Sequence, residues 1–356
     1  MRQGTATDEV IVEKNGSAGL IRLNRPKAIN SLNEAMVSDV RSGLDVFSRD
    51  PDIACVILSG EGERGLCAGG DVRQIYEART ASEADRTRFW REEFPLNYTI
   101  SRYQKPYVAL MDGIVMGGGV GLAAHGRYRI VTERTRLAMP ETAIGYFPDV
   151  GATWLLPKAP GEVGTWLGLT GRDIGAADAM YAGLADYHVA SETLPELVQA
   201  LAHTSPDADI GRIIEGFASV PETAGHLATN IDTINAAFGF DRVEDVIAVL
   251  AAMNDDFALE TLATLQSRSP TSLKLTLRLL RLGRDSSGLV ECLEREFGAG
   301  CEILRGHDFY EGVRAALIDK DRNPKWQPDA LSQVQQQHLD RYFVSGNPPL
   351  FPDHRL

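Results

Sequence analysis

The sequence predicts an α/β fold with a layered core, followed by a region that is mainly helical. Two patterns indicate this: strand and helix signals alternate up to residue 204, and strand signals nearly vanish from residue 205 onward. The length agrees with two regions, because a single domain usually contains about 150 residues and this chain has 356. We therefore predict a core over residues 1–204 and a helical region over residues 205–356 that serves packing and oligomerisation.

The first elements are a hairpin and a helix. Two short extended runs, residues 10–14 and 20–24, flank an Asn-Gly turn, which predicts a β-hairpin at the edge of a sheet. Residues 31–34 (Ser-Leu-Asn-Glu) form a capping box, so we expect a helix from there to about Arg49.

The later elements follow from the same two periodicities. Continuous apolar, partly β-branched runs predict buried strands, and apolar positions spaced by three or four residues predict helices. The predicted strands are at residues 53–58, 107–111 and 128–132. The predicted helices are at residues 117–124, 161–169, 174–183, 241–253, 255–266, 271–282 and 289–304.

Charge and cysteine content limit the classes of function. The chain has 36 Lys and Arg against 49 Asp and Glu, and its net charge of −13 opposes binding to nucleic acid or anionic lipid. The 4 cysteines form no CxxC pair and no pattern typical of zinc sites or disulfide frameworks. No leader-like segment or bilayer-spanning apolar run is evident. We expect a cytoplasmic protein with no metal, no nucleic-acid partner and no membrane partner.

Two glycine-rich segments are candidates for binding a carbonyl oxygen. Residues 67–71 (Cys-Ala-Gly-Gly-Asp) and 117–121 (Gly-Gly-Gly-Val-Gly) stand where strands turn into helices. Small residues let a ligand approach the backbone, so the amides of Ala68 and Gly118 are predicted to form an oxyanion hole. The alternative is that these glycines only permit tight turns and close helix packing.

Carboxylates supply the candidate acid–base groups. Glu141 and Asp149 are the acidic residues of an otherwise nearly uncharged stretch, residues 137–156, and burial there would raise their proton affinity. Alternatively, both are solvated loop acids or helix caps. Glu93 lies in a polar amphipathic segment, which by itself favours a surface position.

Taken together, these motifs resemble the crotonase (enoyl-CoA hydratase/isomerase) superfamily and, within it, the 3-hydroxyisobutyryl-CoA hydrolases. The resemblance rests on many short motifs in a fixed order. They lie at residues 10–13, 23–27, 66–71, 105–110, 116–122, 138–151, 170–172, 182–186, 269–273, 305–308, 311–314, 319–321 and 324–326. It implies a spiral of repeated ββα units, a helical C-terminal region, an acyl-CoA site in the first region, and trimers or hexamers.

The resemblance also assigns roles. It makes Glu141 the principal catalytic residue, Asp149 and Glu93 substrate-contacting acids, and coenzyme A a part of the substrate rather than a cofactor. Hydratases of the superfamily share Glu141 but carry a second glutamate where this chain has Gly121, and a glycine where it has Asp149. Without that second acid, adding water to a double bond lacks one of its two proton-handling groups.

The expected activity is hydrolysis of a short 3-hydroxyacyl-CoA thioester, above all 3-hydroxyisobutyryl-CoA in valine breakdown. The alternatives are an enoyl-CoA hydratase or isomerase and a noncatalytic acyl-CoA-binding protein. Coenzyme A carries phosphates, for which Arg25 and Lys27 are candidates, although simple surface charge explains them equally well. The resemblance adds the backbone of Ala28 and Gly70 along the path of the coenzyme.

Overall fold

The structure is a computed structural model, and it describes residues 8–344, 346 and 348–352. The chain forms two compact units, each held together mainly by contacts among its own residues. One unit contains residues up to 70 together with 95–137 and 174–225, and the other contains 71–94, 138–173 and the residues from 226 onward. The predicted boundary between residues 204 and 205 falls inside the first unit.

The helices and strands have the following bounds. The strands are β1 (Val10–Asn15), β2 (Ala18–Leu23), β3 (Cys55–Gly60), β4 (Gly65–Cys67), β5 (Tyr107–Met111), β6 (Ile114–Met116), β7 (Tyr128–Val131), β8 (Arg136–Ala138) and β9 (Tyr187–His188). The α-helices are α1 (Glu34–Arg49), α2 (Val72–Glu77), α3 (Glu83–Ser101), α4 (Gly118–Ala123), α5 (Ala152–Leu155), α6 (Val163–Thr170), α7 (Ala176–Tyr181), α8 (Leu194–Ala202), α9 (Ile210–Glu215), α10 (Ile231–Phe238), α11 (Val243–Ala252), α12 (Asp256–Gln266), α13 (Pro270–Arg284), α14 (Leu289–Ile303), α15 (Asp308–Val313) and α16 (Gln336–Asp340).

The first unit is built on a 6-stranded sheet with the order β1-β2-β3-β5-β7-β9. The hairpin of β1 and β2 is antiparallel and lies at the edge, as predicted, and the remaining neighbours pair in parallel. Parallel strands are usually covered on both faces. Helix α1 covers the face that presents Val12 and Ile21, while α8 and α9 pack on the face that presents Leu20 and Ile57.

A second, 3-stranded sheet with the order β4-β6-β8 was not predicted, because strands of three residues carry too little periodicity to be recognised. With it, the element order repeats a ββα unit as β1-β2-α1, β3-β4-α2 and β5-β6-α4. The α/β fold class and the ββα repetition are therefore confirmed. Because β4 and β6 pair in parallel, the glycine-rich segments that follow them start at the same edge.

The start of the first helix differs from the prediction. Leu32 forms an extended bridge with Gly70, so the helix does not begin at the predicted capping box. It begins at Glu34 instead, and the side chain of Asn33 accepts a hydrogen bond of 2.9 Å from the amide of Met36.

The second unit is mainly helical. Its long helix α13 packs against α5, α6 and α11, and α14 packs against α5. The helices predicted beyond residue 240 are all present with shifts of a few residues at their ends. Within the described residues, no helix combines the length and the apolar character needed to cross a bilayer.

Candidate active site

The glycine-rich segments of the first unit approach each other closely. A methyl group added to Gly69, which has a φ of +105°, would lie 3.7 Å from the amide nitrogen of Gly118. A methyl group on Gly119 would lie 2.6 Å from the carbonyl oxygen of Cys67, closer than any side chain tolerates. Glycine is therefore required here for close packing, which was the alternative explanation of these motifs. The same packing places the two loops side by side.

The amide of Ala68, predicted as an oxyanion donor, has an acceptor within the protein. It donates a hydrogen bond of 2.9 Å to the carbonyl oxygen of Ile29, so it is not available to a ligand. The next amide, that of Gly69, donates a hydrogen bond to the sulfur of Cys67 with an N–S distance of 3.3 Å. Gly70, predicted above only as part of the coenzyme path, is the next residue whose amide can serve as a donor.

The amides of Gly70 and Gly118 are the available pair. Neither donates to an acceptor among the residues that the structure describes. Gly118 is the first residue of α4, where backbone amides have no partner within the helix. Two donors on adjacent loops form the arrangement that an oxyanion requires.

The predicted coenzyme-binding residues lie on a segment that runs beside Gly70. The amide of Leu32 donates to the carbonyl oxygen of Gly69 at 2.8 Å, which fixes this neighbourhood. Arg25 is engaged by the protein itself, since its guanidinium group donates to the Ser31 carbonyl at 2.7 Å and pairs with Glu9 at 3.2 Å. Its assignment to the coenzyme loses support.

Lys27 and Ala28 stand in a different position. Both are exposed on the 3₁₀ turn Pro26–Ala28. Within the described part of the chain, no carboxylate pairs with the Lys27 ammonium group. Lys27 therefore stays the better candidate for a phosphate of coenzyme A.

Three buried carboxyl groups form the acidic cluster of the second unit. The exposed fractions are 1% for Glu93, 7% for Glu141 and 6% for Asp149. Glu93 comes from α3, Glu141 begins the 3₁₀ turn Glu141–Ile144, and Asp149 precedes α5. The surface position that its polar segment favoured for Glu93 is wrong, and the solvated alternative for Glu141 and Asp149 is excluded.

Burial raises the pKa of all three carboxyl groups, and repulsion within the cluster adds to the shift at Glu93 and Glu141. Loss of hydration is the largest cause in each case. The charge of Asp149 further raises the pKa of both Glu93 and Glu141. Because the groups repel one another, the cluster holds protons at pH values at which isolated carboxyl groups are ionised.

Glu93 and Glu141 each have one oxygen atom without a hydrogen-bond partner in the described protein. These atoms, Oε1 of Glu93 and Oε2 of Glu141, are buried. Buried polar atoms are normally satisfied, so such exceptions are typical of atoms that receive a ligand or take part in a reaction. This is the arrangement expected of one acid that donates a hydrogen bond and another that attacks or accepts a proton.

Aromatic rings provide the apolar wall of the cluster. Tyr146 stacks on Trp90 with the ring centres 5.2 Å apart and on Phe147 with the ring centres 4.5 Å apart. The Phe309 ring is tilted against Tyr146, with the ring centres 5.8 Å apart. Apart from the Tyr146 hydroxyl, which lowers the pKa of Asp149, such a wall offers few dipoles that stabilise an ionised carboxylate. This explains why hydration loss dominates the pKa shifts nearby.

A fourth buried acid, Glu296, was missed. It has an exposed fraction of 0%, and burial raises its pKa to about 7. Its side chain lies on the buried face of α14, which otherwise presents residues such as Leu293 and Phe297. A charged residue at a predicted core position of an amphipathic helix was the available signal.

We expect Glu93→Gln to stabilise the protein more at about pH 9 than at about pH 5. The raised pKa means that the folded protein retains a proton that the unfolded chain releases. The stability linked to this proton is complete below the ordinary carboxyl pKa and is lost as the pH rises through the raised one. Glutamine avoids that loss because it does not ionise.

The measurement is the difference in melting temperature between wild type and Glu93→Gln at both pH values. Glu92→Gln is the matched control, since it removes an acid from the next position, where the side chain is only half-buried. A difference that does not grow with pH would contradict the prediction.

Comparison with known proteins identifies relatives along nearly the whole chain. A model of the enoyl-CoA hydratase/isomerase family matches residues 18–343. The 3-hydroxyisobutyryl-CoA hydrolase of Xenopus tropicalis mitochondria is 44% identical over 349 residues, covering 96% of this chain and 90% of the relative. The human mitochondrial protein of the same name is 43% identical, covering 96% and 89%.

Solved structures agree in fold and differ in name. A carnitinyl-CoA dehydratase from Mycobacterium thermoresistibile is 41% identical with a TM-score of 0.92, covering 97% of this chain and 98% of that chain. An enoyl-CoA hydratase from Rhodobacter sphaeroides is 38% identical with a TM-score of 0.85, covering 95% and 97%. These similarities confirm the predicted resemblance and the predicted fold.

Proposed function

The chain belongs to the enoyl-CoA hydratase/isomerase family, and on that premise we propose that it hydrolyses short 3-hydroxyacyl-CoA thioesters, with 3-hydroxyisobutyryl-CoA as the preferred substrate. The observation that carries this proposal is the buried pair of Glu141 and Asp149 in a chain that has Gly121 where hydratases have an acid. The names of the relatives that are 43–44% identical support the same activity.

The amides of Gly70 and Gly118 bind the thioester oxygen in this proposal. Attack on the carbonyl carbon turns that oxygen into an oxyanion, and two fixed N–H donors stabilise its charge more than they stabilise the neutral ester. Each such donor commonly contributes about 3 kcal/mol to lowering the barrier.

Glu141 supplies the nucleophile or the base. In the first route, its carboxylate oxygen bonds to the carbonyl carbon while the C–S bond breaks, and water then hydrolyses the resulting anhydride. In the second route, it takes a proton from a water molecule that attacks directly, and the proton passes to the departing thiolate. Both routes yield the 3-hydroxy acid and free coenzyme A.

The two other acids recognise the hydroxyl end of the acyl group. Asp149 orients the 3-hydroxyl or the attacking water, and Glu93, whose raised pKa favours the protonated form, donates a hydrogen bond. A substrate that lacks the hydroxyl would leave these buried groups without a partner, which penalises its binding.

A hydratase or dehydratase is the second candidate, because two solved relatives carry such names. Against it stands Gly121, whose position in α4 is buried and has no side chain to hold a proton. A noncatalytic acyl-CoA-binding protein is the third possibility, and the burial of Glu141 and Asp149 at an energetic cost counts against it.

We expect thiol release from 3-hydroxyisobutyryl-CoA and, more slowly, from 3-hydroxypropionyl-CoA, because one methyl group changes pocket affinity by about 1–3 kcal/mol. Crotonyl-CoA is expected neither to release thiol at a comparable rate nor to gain water. The assay follows free thiol and, in parallel, absorbance of the conjugated double bond. Water addition without thiol release would establish the hydratase instead, and binding of all esters without turnover would establish the binding protein.

Four further assignments belong to the proposal. The substrate places the chain in valine breakdown, and the coenzyme enters as part of the substrate beside Lys27 and Ala28. Assembly into trimers or hexamers stays a prediction from the family. A cytoplasmic location also stays a prediction, and the relatives described above do not support it, because they are named as mitochondrial.

A further inference from the structure

Glu296 accepts three hydrogen bonds from the turn that follows Asp149. Its Oε2 accepts from the amide of Gly151 at 2.7 Å, and its Oε1 accepts from the amide and the hydroxyl of Thr153 at 3.0 and 2.5 Å. Both carboxylate oxygens are thus used, and the side chain is fully buried. Charge-assisted hydrogen bonds of this kind are stronger than neutral ones.

The backbone that Glu296 holds is strained. Val150 has a φ of 51°, in the left-handed region that a β-branched residue rarely adopts, and Gly151 follows with a φ of 83°. Strained conformations persist only where surrounding contacts impose them. The three hydrogen bonds to Glu296 are contacts of this type, and Asp149 is the residue that enters the strained turn.

Glu296 also acts on the acidic cluster through its charge. After burial, its charge is the next largest cause of the raised pKa of Asp149, and it contributes to the raised pKa of Glu141. Glu296 is therefore linked to Asp149 by hydrogen bonds and charge, and to Glu141 by charge. It can affect the reaction through these acids without touching the substrate.

We propose that Glu296 is a positioning residue for the reaction: it fixes the turn of residues 149–153 so that Asp149 meets the 3-hydroxyl or the attacking water. This inference rests on the proposed hydrolase activity. Its effect is carried by Asp149, so it is felt in turnover more than in ligand binding.

The test measures kcat and KM for 3-hydroxyisobutyryl-CoA in Glu296→Gln. The amide NH₂ of glutamine would face a backbone N–H where a carboxylate oxygen stood, so the turn loses at least one of its three hydrogen bonds and the negative charge that strengthens the others. We expect kcat to fall about 100-fold with KM changed by less than about threefold. Glu294→Gln is the matched control on the same helix, because Glu294 accepts from the amide of Phe351 at 2.8 Å and not from the turn. It should change kcat by less than about twofold.

A second comparison separates positioning from general stability. In an Asp149→Asn background, Glu296→Gln should cost less than about threefold in kcat, because residues that act through one another are not additive. An equal loss in both backgrounds, or an unchanged kcat in the wild-type background, would overturn the inference. If Glu296→Gln does not fold, Thr153→Val removes the hydroxyl contact to Glu296 and keeps both amide contacts, and it is read by the same two-background comparison.

The two proposals fail in different ways. Absence of thiol release by the wild-type protein rejects the hydrolase activity. Thiol release by wild type that Glu296→Gln and Glu294→Gln reduce equally rejects only the role of Glu296.

Discussion

Glu141→Gln is expected to lower kcat for thioester hydrolysis by about 10³-fold or more. Glutamine has the same shape but neither attacks a carbonyl as a carboxylate nor accepts a proton from water. Because Oε2 of Glu141 has no partner in the described protein that the change would disturb, the fold should be preserved. The measurement is steady-state thiol release from 3-hydroxyisobutyryl-CoA.

Binding provides the control for this variant. Titration calorimetry with coenzyme A, which the wild type binds without turning it over, should give for Glu141→Gln a Kd within about tenfold of that of the wild type. Loss of binding together with activity would indicate a collapsed pocket, and turnover near the wild-type rate would remove Glu141 from the mechanism.

Single turnover in water labelled with heavy oxygen distinguishes the two routes for Glu141. In the anhydride route, water attack on the glutamyl carbonyl leaves label in the side chain of Glu141. In the direct route, label enters only the product acid. Mass spectrometry of the peptide that contains Glu141 therefore reports which bond forms first.

Local patterns predicted the elements that depend on local interactions. The hairpin of β1 and β2 and the strand β5 lie where alternation or continuous apolar residues placed them. The pair of Glu141 and Asp149 was also visible, since acids in an uncharged stretch are conspicuous. The local pattern did not show whether these two acids are buried. Their burial depends on rings such as Tyr146 and Phe309, which are in contact although they are distant in sequence.

Long-range hydrogen bonds explain where the structure departs from the predicted site. Which amide of the first glycine segment is available depends on the Ile29 carbonyl, which the bridge between Leu32 and Gly70 brings into place. The role of Glu296 depends on contacts to residues as many as 145 positions away. No periodicity or motif encodes such a pairing, so it becomes visible only in three dimensions.

Replacing the backbone N–H of Gly118 or of Gly70 by an ester oxygen is expected to lower kcat by about 10²–10³-fold, the effect of losing one oxyanion donor. Glycolic acid introduced by suppression makes this change without adding a side chain, which matters because the glycine loops have no spare room. The donors act on charge that develops in the transition state, so KM should change far less than kcat.

The same exchange at Ala68, with lactic acid, is the matched control. The Ala68 amide donates to Ile29, so its loss should cost about 1 kcal/mol of stability and leave kcat within about threefold of wild type. An ester at Gly118 also weakens the Gly117 carbonyl, which accepts from Val120 at 2.8 Å, so melting temperatures are measured beside the rates. A large loss of kcat at Ala68 with none at Gly70 would restore the original assignment, because it would mean that the Ala68 amide leaves Ile29 when substrate binds.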